Sequence, residues 1–203
     1  MIELNQCKRL SAVVFFASAL AAVSTVSVAE EFKRLKLPSG ISLQVPAQWS
    51  VQTPDQGPGF SVAEAASKRA TLLIGHSVPK GALLRLRLGP VSKLTPARLQ
   101  TLKPEALAKL NDAFFQGMKS VEKEKGPNVV SMREPAVVSV SGHPALRLGY
   151  LRAGADGAGE NWEVVQLQIP LADRSVHVTM SWSADSDATW RPMMERVTSS
   201  LQF

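Results

Sequence analysis

The sequence is poor in the side chains that carry most enzyme chemistry. Its 203 residues contain one cysteine, Cys7, and three histidines, His76, His143 and His177. A single cysteine excludes an intramolecular disulfide framework and a cluster of thiolate ligands, so the hydrophobic core must stabilise the fold. The histidines have no partner at ligand spacing, and we therefore expect no metal site and no cofactor.

The motifs of nucleophilic catalysis are also missing. There is no Gly-x-Ser-x-Gly elbow and no Ser-x-x-Lys at the start of a predicted helix. The acids Asp185 and Asp187 stand at the entry to the last predicted helix, where we expect them to cap it and complement its dipole. The glycine-rich run 153–159 joins two predicted strands, so it lacks the helix N-terminus of a phosphate cradle. We therefore expect no catalytic residues and a protein that is not an enzyme; a hydrolase that uses His143 or His177 is the remaining alternative.

The first 29 residues have the three parts of a secretion signal. A positive pair, Lys8 and Arg9, precedes an apolar run over residues 12–23, and small residues follow up to Ala29. The apolar run is nearer a dozen residues than the roughly 20 that a spanning helix needs. We therefore expect cleavage after Ala29, which leaves residues 30–203 as one soluble domain, periplasmic or secreted, with no permanent membrane anchor.

The chain is basic, with a formal net charge of +6. The charges are scattered rather than gathered on one helix or interleaved with aromatic residues, so we expect a solvated surface and no nucleic-acid partner. One pair leaves two interpretations open. Arg85 and Arg87 fall on the same side of a predicted strand and would either cradle an anion or form a plain polar outer face; one-sided sheets produce such alternation anyway, which favours the second.

Alternation of apolar and polar residues predicts a series of strands. They cover residues 41–45, 49–51, 60–66, 69–78, 82–88, 137–140, 145–152, 162–169 and 175–183, and a further strand begins at Val129. In the last strand one set of side chains is expected to face the core and the alternate set to face outward. The inward set is Val176, Val178, Met180 and Trp182; the outward set is Ser175, His177, Thr179 and Ser181.

Helices are predicted in the middle and at the end of the chain. Thr95-Pro96 opens a short helix through Leu102, and Pro104 restarts it. The apolar stripe of the restarted helix is expected to pack on the sheet; it comprises Leu107, Leu110, Phe114, Met118 and Val121. The final helix carries Trp190, Met193, Met194, Val197 and Leu201 on its apolar side. The order of elements predicts an α+β fold, with an antiparallel sheet flanked by helices. This order is a set of strands joined by short turns, a helix pair, more strands and a terminal helix.

Two segments carry a resemblance to a known family. They are residues 40–49, Gly-Ile-Ser-Leu-Gln-Val-Pro-Ala-Gln-Trp, and the terminal stretch from Trp190 to Phe203, which closes on Ser-Leu-Gln-Phe. Together they resemble the PsbP-like proteins. The resemblance covers nearly all of residues 30–203 and implies an α/β/α sandwich. It implies little about activity, because the family includes photosystem subunits, a Ran-binding nuclear factor and bacterial periplasmic proteins, and it supplies no catalytic residues. The N-terminus has no chloroplast transit sequence, which argues against service in a photosystem.

Two hypotheses of function remain besides the hydrolase. The leading one is a non-enzymatic periplasmic accessory protein that binds an envelope protein through an edge or a face of its sheet. The alternative is a carrier of a small apolar or amphipathic ligand, because Phe114, Phe115 and Met118 together with Met193 and Met194 would suit an adaptable pocket. A deep apolar cavity between these residues would favour the carrier, and a packed core would exclude it.

Overall fold

The computed structural model describes residues 30–57, 59–78, 81–122, 128–154 and 159–203, with the side chains of residues 121 and 122 left out. The expected secretion signal, the tip of the glycine-rich run at residues 155–158 and the side chain of Val121 lie outside the described part. The strands are β1 Phe32–Lys36, β2 Ser42–Pro46, β3 Ser50–Gln52, β4 Thr71–His76, β5 Ala82–Gly89, β6 Val129–Met132, β7 Ala136–Val140, β8 His143–Ala153, β9 Asn161–Pro170 and β10 Ser175–Ser183. The helices are α1 Val62–Ser67, α2 Pro96–Gln100, α3 Pro104–Glu122 and α4 Asp187–Ser199.

The strands of the described chain form one large antiparallel sheet and one small ribbon. The large sheet has the order β3-β4-β5-β10-β9-β8-β6, and β7 pairs with β8 next to β6. The ribbon consists of β1 and β2 and is joined to the C-terminus by paired backbone bonds between Ser42 and Gln202, of 3.0 and 2.8 Å. Helices lie on both sides of the sheet, so the α+β class and the sandwich architecture predicted from the sequence are confirmed.

Alternation along the strands gives the sheet two chemically different faces. On β5, Leu84, Leu86 and Leu88 are fully buried, whereas Arg85 and Arg87 are exposed on the other side. We call the leucine side the core face. The main hydrophobic cluster lies on it and includes residues of β2 and α4. The arginine side is the groove face.

Helix α3 covers one part of the groove face. Its Phe114, Phe115 and Met118 pack against a small cluster that contains Tyr150 and Val164. Phe114 and Met118 of the predicted apolar stripe thus pack on the sheet as expected, but the described side chains of α3 are all half-buried or exposed. The groove face is therefore only partly covered, and the region over β5 and β10 stays open.

The prediction of a strand at residues 60–66 is wrong, because this segment forms α1 from Val62 to Ser67. The Ser61 side chain accepts a hydrogen bond from the Glu64 amide at 3.5 Å, and Ser-x-x-Glu is the signature of a helix N-terminus. Ala65 and Ala66 are buried on one side of this helix. Alternation over a few residues did not distinguish a short helix from a strand, whereas the capping pattern did.

Two further expectations need correction. Ser175 and Ser181 lie on the groove face as predicted, but they are buried, with 1% and 5% exposure. Asp187 does not cap α4 through its side chain. Its carboxylate instead accepts a hydrogen bond from the Trp182 indole at 2.8 Å and two from Arg191 at 2.9 Å. The acid therefore connects β10 to the first turn of α4.

The β7–β8 hairpin shows why its turn sequence is Ser-Gly. Ser141 and Gly142 both have positive φ angles, of 49° and 83°. A two-residue turn of this kind matches the twist of the paired strands and favours glycine at one of its positions. The Ser141 hydroxyl donates hydrogen bonds to the carbonyl oxygens of Ser199 and Leu201, which secures the turn to the end of α4. In the described part of the chain, no helix is both long and apolar enough to cross a membrane.

Candidate functional site

The open part of the groove face is a cavity of about 690 Å³, which we call the arginine groove. Its volume lies in the range of ligand-binding clefts. Strand pairing places the outward side chains of β5, β10 and β9 side by side, so the floor has two cross-strand rows. One row is Arg85, Thr179 and Gln166, and the other is Arg87, His177 and Gln168. The groove thus grades from cationic side chains on β5 to neutral hydrogen-bonding amides on β9.

The loop after β5 forms one wall of the arginine groove. Gln168 donates a hydrogen bond from Nε2 to the Ser92 hydroxyl at 3.0 Å, and Ser175 donates from its hydroxyl to the Pro90 carbonyl at 2.8 Å. These two bonds connect the loop to the floor at neighbouring strands. The wall is therefore fixed by the sheet beneath it, and it carries Lys93 at its rim.

The charge of the groove is one-sided. Four cationic side chains line it, from Arg69, Arg85, Arg87 and Lys93, and its described lining contains no aspartate or glutamate. None of the four belongs to an ion pair among the described residues. Cations that lie close together without acids repel one another, so an anion in the groove would lower the electrostatic energy.

Arg69 occupies an unusual backbone position. It follows the end of α1 with a φ of 57°, and the hydrogen bonds Arg69 N to Ala66 O and Ala70 N to Ala65 O, of 3.2 and 2.8 Å, form a Schellman motif. Glycine is the usual residue at this position, because an L side chain there costs about 1 kcal/mol. The Arg69 carbonyl accepts hydrogen bonds from Nε and Nη2 of Arg87, of 3.3 and 3.0 Å. The chain thus keeps an arginine with a strained backbone next to a second arginine, at a position where glycine would cause less strain.

His177 lies in the middle of the floor, and its hydrogen bonding determines its tautomer. The Ser175 hydroxyl donates its proton to Pro90, so its 3.0 Å contact with His177 Nε2 has the ring N–H as donor. Gly89 makes room for this arrangement. A Cβ at Gly89 would lie 2.8 Å from the Ser175 hydroxyl and 2.9 Å from His177 Nε2. The glycine on β5 therefore permits the close packing of His177 across the strand pair.

Burial lowers the pKa of His177 below its ordinary value of 6.5, and the charges of Arg87 and Arg69 lower it further. In the folded protein the ring is thus neutral at a pH where the unfolded chain is already protonated. Unfolding then takes up a proton, so the folded state loses stability as the pH falls through about 6.5 towards the lower folded pKa. Above pH 6.5 the ring is neutral in both the folded and the unfolded state, so His177 then causes no loss of folding stability.

We predict that His177→Gln removes this part of the pH dependence. The neutral amide keeps a polar group in the floor row and has no proton to gain. The measurement is the urea midpoint of unfolding at pH 8.0 and at pH 5.0, for both proteins. The difference between the two midpoints should be smaller in the variant, and equal differences would show that His177 does not titrate in this way.

The Ser175–His177 pair does not have the geometry of a nucleophile and its base. A serine nucleophile gives its proton to the histidine, whereas the Ser175 proton points to Pro90 and the ring donates to the hydroxyl. Ser175 is also only 1% exposed, so a substrate carbonyl has no access to it. This pair therefore lends no support to a hydrolase.

The other histidines lie on separate strands. His143 begins β8 and makes an edge contact with the Phe203 ring, whose centroid is 5.1 Å away, and His76 ends β4. Nowhere in the described ranges do three His, Cys, Asp or Glu side chains come together in a group that could hold a metal ion. The structure thus does not join the three histidines that the sequence singled out into one site.

The residues of the expected apolar pocket are divided between the two faces. Phe114, Phe115 and Met118 belong to the cluster on the groove face, whereas Met194 is buried in the main core and Met193 packs against it. A smaller cleft of about 280 Å³ lies between α4 and β7, and Met194 lines it without the phenylalanines. The interpretation of these five residues as one adaptable pocket is therefore wrong.

Sequence comparison and structural comparison give different results. No protein-family model matches the sequence, and no curated protein matches it either. Among solved structures, cyanobacterial PsbP (CyanoP) from Synechocystis sp. PCC 6803 matches with a TM-score of 0.53 and 14% identity, over 90% of this chain and 98% of that one. A protein of Bacteroides thetaiotaomicron matches with a TM-score of 0.50 and 10% identity, over 84% of this chain and 47% of that one.

A third similar structure is LpqN of Mycobacterium tuberculosis, which is described as involved in cell envelope biogenesis. Its TM-score is 0.49 and its identity 13%, over 86% of this chain and 91% of that one. At these identities the comparisons establish the fold alone. The resemblance to the PsbP-like proteins drawn from residues 40–49 and the C-terminal stretch is confirmed at that level: the chain has a PsbP-like fold.

Proposed function

We propose that this protein of PsbP-like fold is an exported accessory protein of the cell envelope, which acts without catalysis by binding a partner protein in the arginine groove. The observation that carries the proposal is the set of four cationic side chains around one open cavity, with no acid in its described lining. Exposed arginines on a plain outer face are normally interspersed with acids. Here the cations converge on one cavity.

A protein partner fits this cavity better than a nucleic acid or a lipid surface does. Of the lining residues, only Tyr150 and His177 carry aromatic rings; Tyr150 is buried, and the His177 ring is half-buried in the floor and hydrogen-bonded to Ser175, so the described groove offers no exposed aromatic platform on which bases stack. The arginines on its floor lie in a recess, whereas a membrane presents its headgroups as a broad surface. The neutral amides of Gln166 and Gln168 suit a partner that combines acids with peptide groups.

Capture from an envelope extract tests the proposal. The protein lacking residues 1–29 is immobilised, and bound proteins are identified for the wild type and for two groove variants, Arg85→Glu and Arg69→Gly. Arg85 is exposed and its side chain makes no hydrogen bond or ion pair with the described residues, and glycine is the preferred residue at the position of Arg69. Both variants should fold at least nearly as well as the wild type and should retain less of the partner.

Arg147→Glu is the matched control for this capture. Arg147 is an exposed arginine of β8, but it pairs across the sheet with Leu167 and lies outside the arginine groove. The control should retain the partner as the wild type does. A partner lost equally from all three variants would show that overall charge matters and the groove does not. A stoichiometric small apolar molecule with no protein would instead support a carrier.

A further inference from the structure

The arginine groove has a spacing that selects among acidic partners. Arg85 and Arg87 are two residues apart on β5 and lie on the same face. Positions i and i+2 of a strand are separated by about 6.8 Å along its axis. An extended peptide has the same spacing between alternate side chains, so carboxylates on every second residue match the two guanidinium groups one to one.

Adjacent acids in a peptide do not have this property. In an extended chain the side chains of residues i and i+1 point to opposite sides, so only one of two neighbouring carboxylates faces the groove. The second would face solvent and contribute nothing beyond a screened, long-range attraction. The strand spacing thus discriminates between two carboxylates at alternate residues and two at adjacent residues, although their total charge is equal.

The cationic surface extends from β5 towards α1 and the start of β4. Arg69 and Arg87 also line a neighbouring hollow of about 490 Å³ beside α1, so the cationic surface continues beyond the arginine groove. The acids of that hollow already have partners. Asp55 accepts a hydrogen bond from the Thr71 amide at 2.7 Å, and Glu64 is paired with Lys68. The arginines shared by the two cavities have no acid partner in the described chain.

We infer that the arginine groove binds an extended acidic segment of a protein, with carboxylates at alternate residues that pair with Arg85 and Arg87. This inference rests on the proposed function and specifies the chemistry of the partner. Guanidinium groups form charge-assisted hydrogen bonds with carboxylates, and the two neighbouring arginines gain the negative charge that they lack in the free protein. His177 reports on the occupied groove: burial is the main cause of its lowered pKa, and acids beside Arg87 and Arg69 would offset the positive charge that lowers this pKa further.

Two synthetic peptides of equal composition test the inference. One is Ser-Ser-Glu-Ser-Glu-Ser-Ser, which presents both carboxylates on one face, and the other is Ser-Ser-Glu-Glu-Ser-Ser-Ser, which presents only one. Binding is followed at low ionic strength by NMR, from the amide shifts of β5 and from the pH titration of the His177 ring. The alternating peptide should bind about threefold to fivefold more tightly, the ratio expected for one additional partly exposed ion pair. It should also shift the His177 titration to higher pH.

Variants and competing anions distinguish the outcomes. Arg85→Gln should abolish the preference for the alternating peptide, whereas Arg147→Gln should leave it unchanged. Equal binding of the two peptides would overturn the inferred register, and tighter binding of inorganic pyrophosphate than of either peptide would overturn a carboxylate segment as the ligand. If neither peptide binds while the captured partner still depends on Arg85, this inference fails and the proposed function stands. If the captured partner does not depend on Arg85 either, the proposed function fails as well.

Discussion

Trp182→Ala is expected to lower the free energy of unfolding by about 4 kcal/mol. The Trp182 side chain is 2% exposed and lies on the core face near the end of β10, where it belongs to the main hydrophobic cluster. Its indole N–H donates to Asp187 at 2.8 Å, and the Arg191 guanidinium lies 5.8 Å from its ring. Truncation therefore leaves a cavity and removes the contact between β10 and the first turn of α4.

Two variants separate the causes of this loss. Trp182→Phe keeps most of the ring volume and removes the hydrogen bond to Asp187, so about 1 to 2 kcal/mol should be lost. Trp162→Ala is the matched control, because Trp162 is half-buried on β9 and, like Trp182, has an arginine over its ring. The Arg152 guanidinium lies 5.4 Å from the centre of the Trp162 ring. It should cost about 1 kcal/mol. Urea unfolding gives all three values, and a loss from Trp162→Ala as large as that from Trp182→Ala would contradict this account of the core.

Arg133→Met is expected to destabilise the protein by about 2 kcal/mol, less than the range for a fully buried ion pair, because the Arg133 side chain is 49% exposed. The Glu163 side chain is 5% exposed, and Arg133 donates to both of its oxygens, from Nε at 3.0 Å and from Nη2 at 2.7 Å. Arg133 packs against Gly149: a Cβ atom added at Gly149 would lie 3.1 Å from the Cβ of Arg133. Methionine retains the length of the side chain and leaves the buried carboxylate without its partner.

A second substitution identifies the unpaired carboxylate as the cause. In the double variant Arg133→Met with Glu163→Met, two apolar side chains replace the pair, and most of the stability should return. Lys68→Met breaks the ion pair with Glu64 on the surface of α1 and should leave the urea midpoint unchanged. If the double variant is as unstable as Arg133→Met alone, the loss comes from the packing of Arg133 and not from the charge of Glu163.

Most of the secondary structure is predictable from short stretches of the sequence. Leu84, Leu86 and Leu88 alternate with two arginines, and β5 follows this pattern with the leucines fully buried. Thr95 and Pro104 mark the starts of α2 and α3, because an N-cap and a proline in the first turn both favour helix initiation. The wrong prediction at α1 has the same local origin: the segment contains the Ser61 and Glu64 capping pattern of a helix start, but only the alternation of its residues was interpreted.

The arginine groove is harder to predict because its residues are far apart in the chain. Arg69 follows α1, Arg87 belongs to β5, His177 to β10 and Gln168 to β9. Alternation indicates that each of these side chains faces away from the core. It does not indicate which strands are neighbours, so the sequence suggested only a polar outer face with an anion cradle as the weaker alternative. The unusual φ of Arg69 has no sequence signal, since arginine is rare at that position.

The sequence by itself determined the α+β class, the two faces of each strand and the scarcity of catalytic side chains, because these depend on local periodicity and on composition. Only the tertiary structure decided that β5, β10 and β9 lie side by side. That order results from pairing between segments that are far apart in the chain: Arg87 of β5 pairs with His177 of β10, 90 residues later. It places Arg85, Arg87 and His177 on one floor, and it leaves that floor open because α3 covers β8 and stops short of β5.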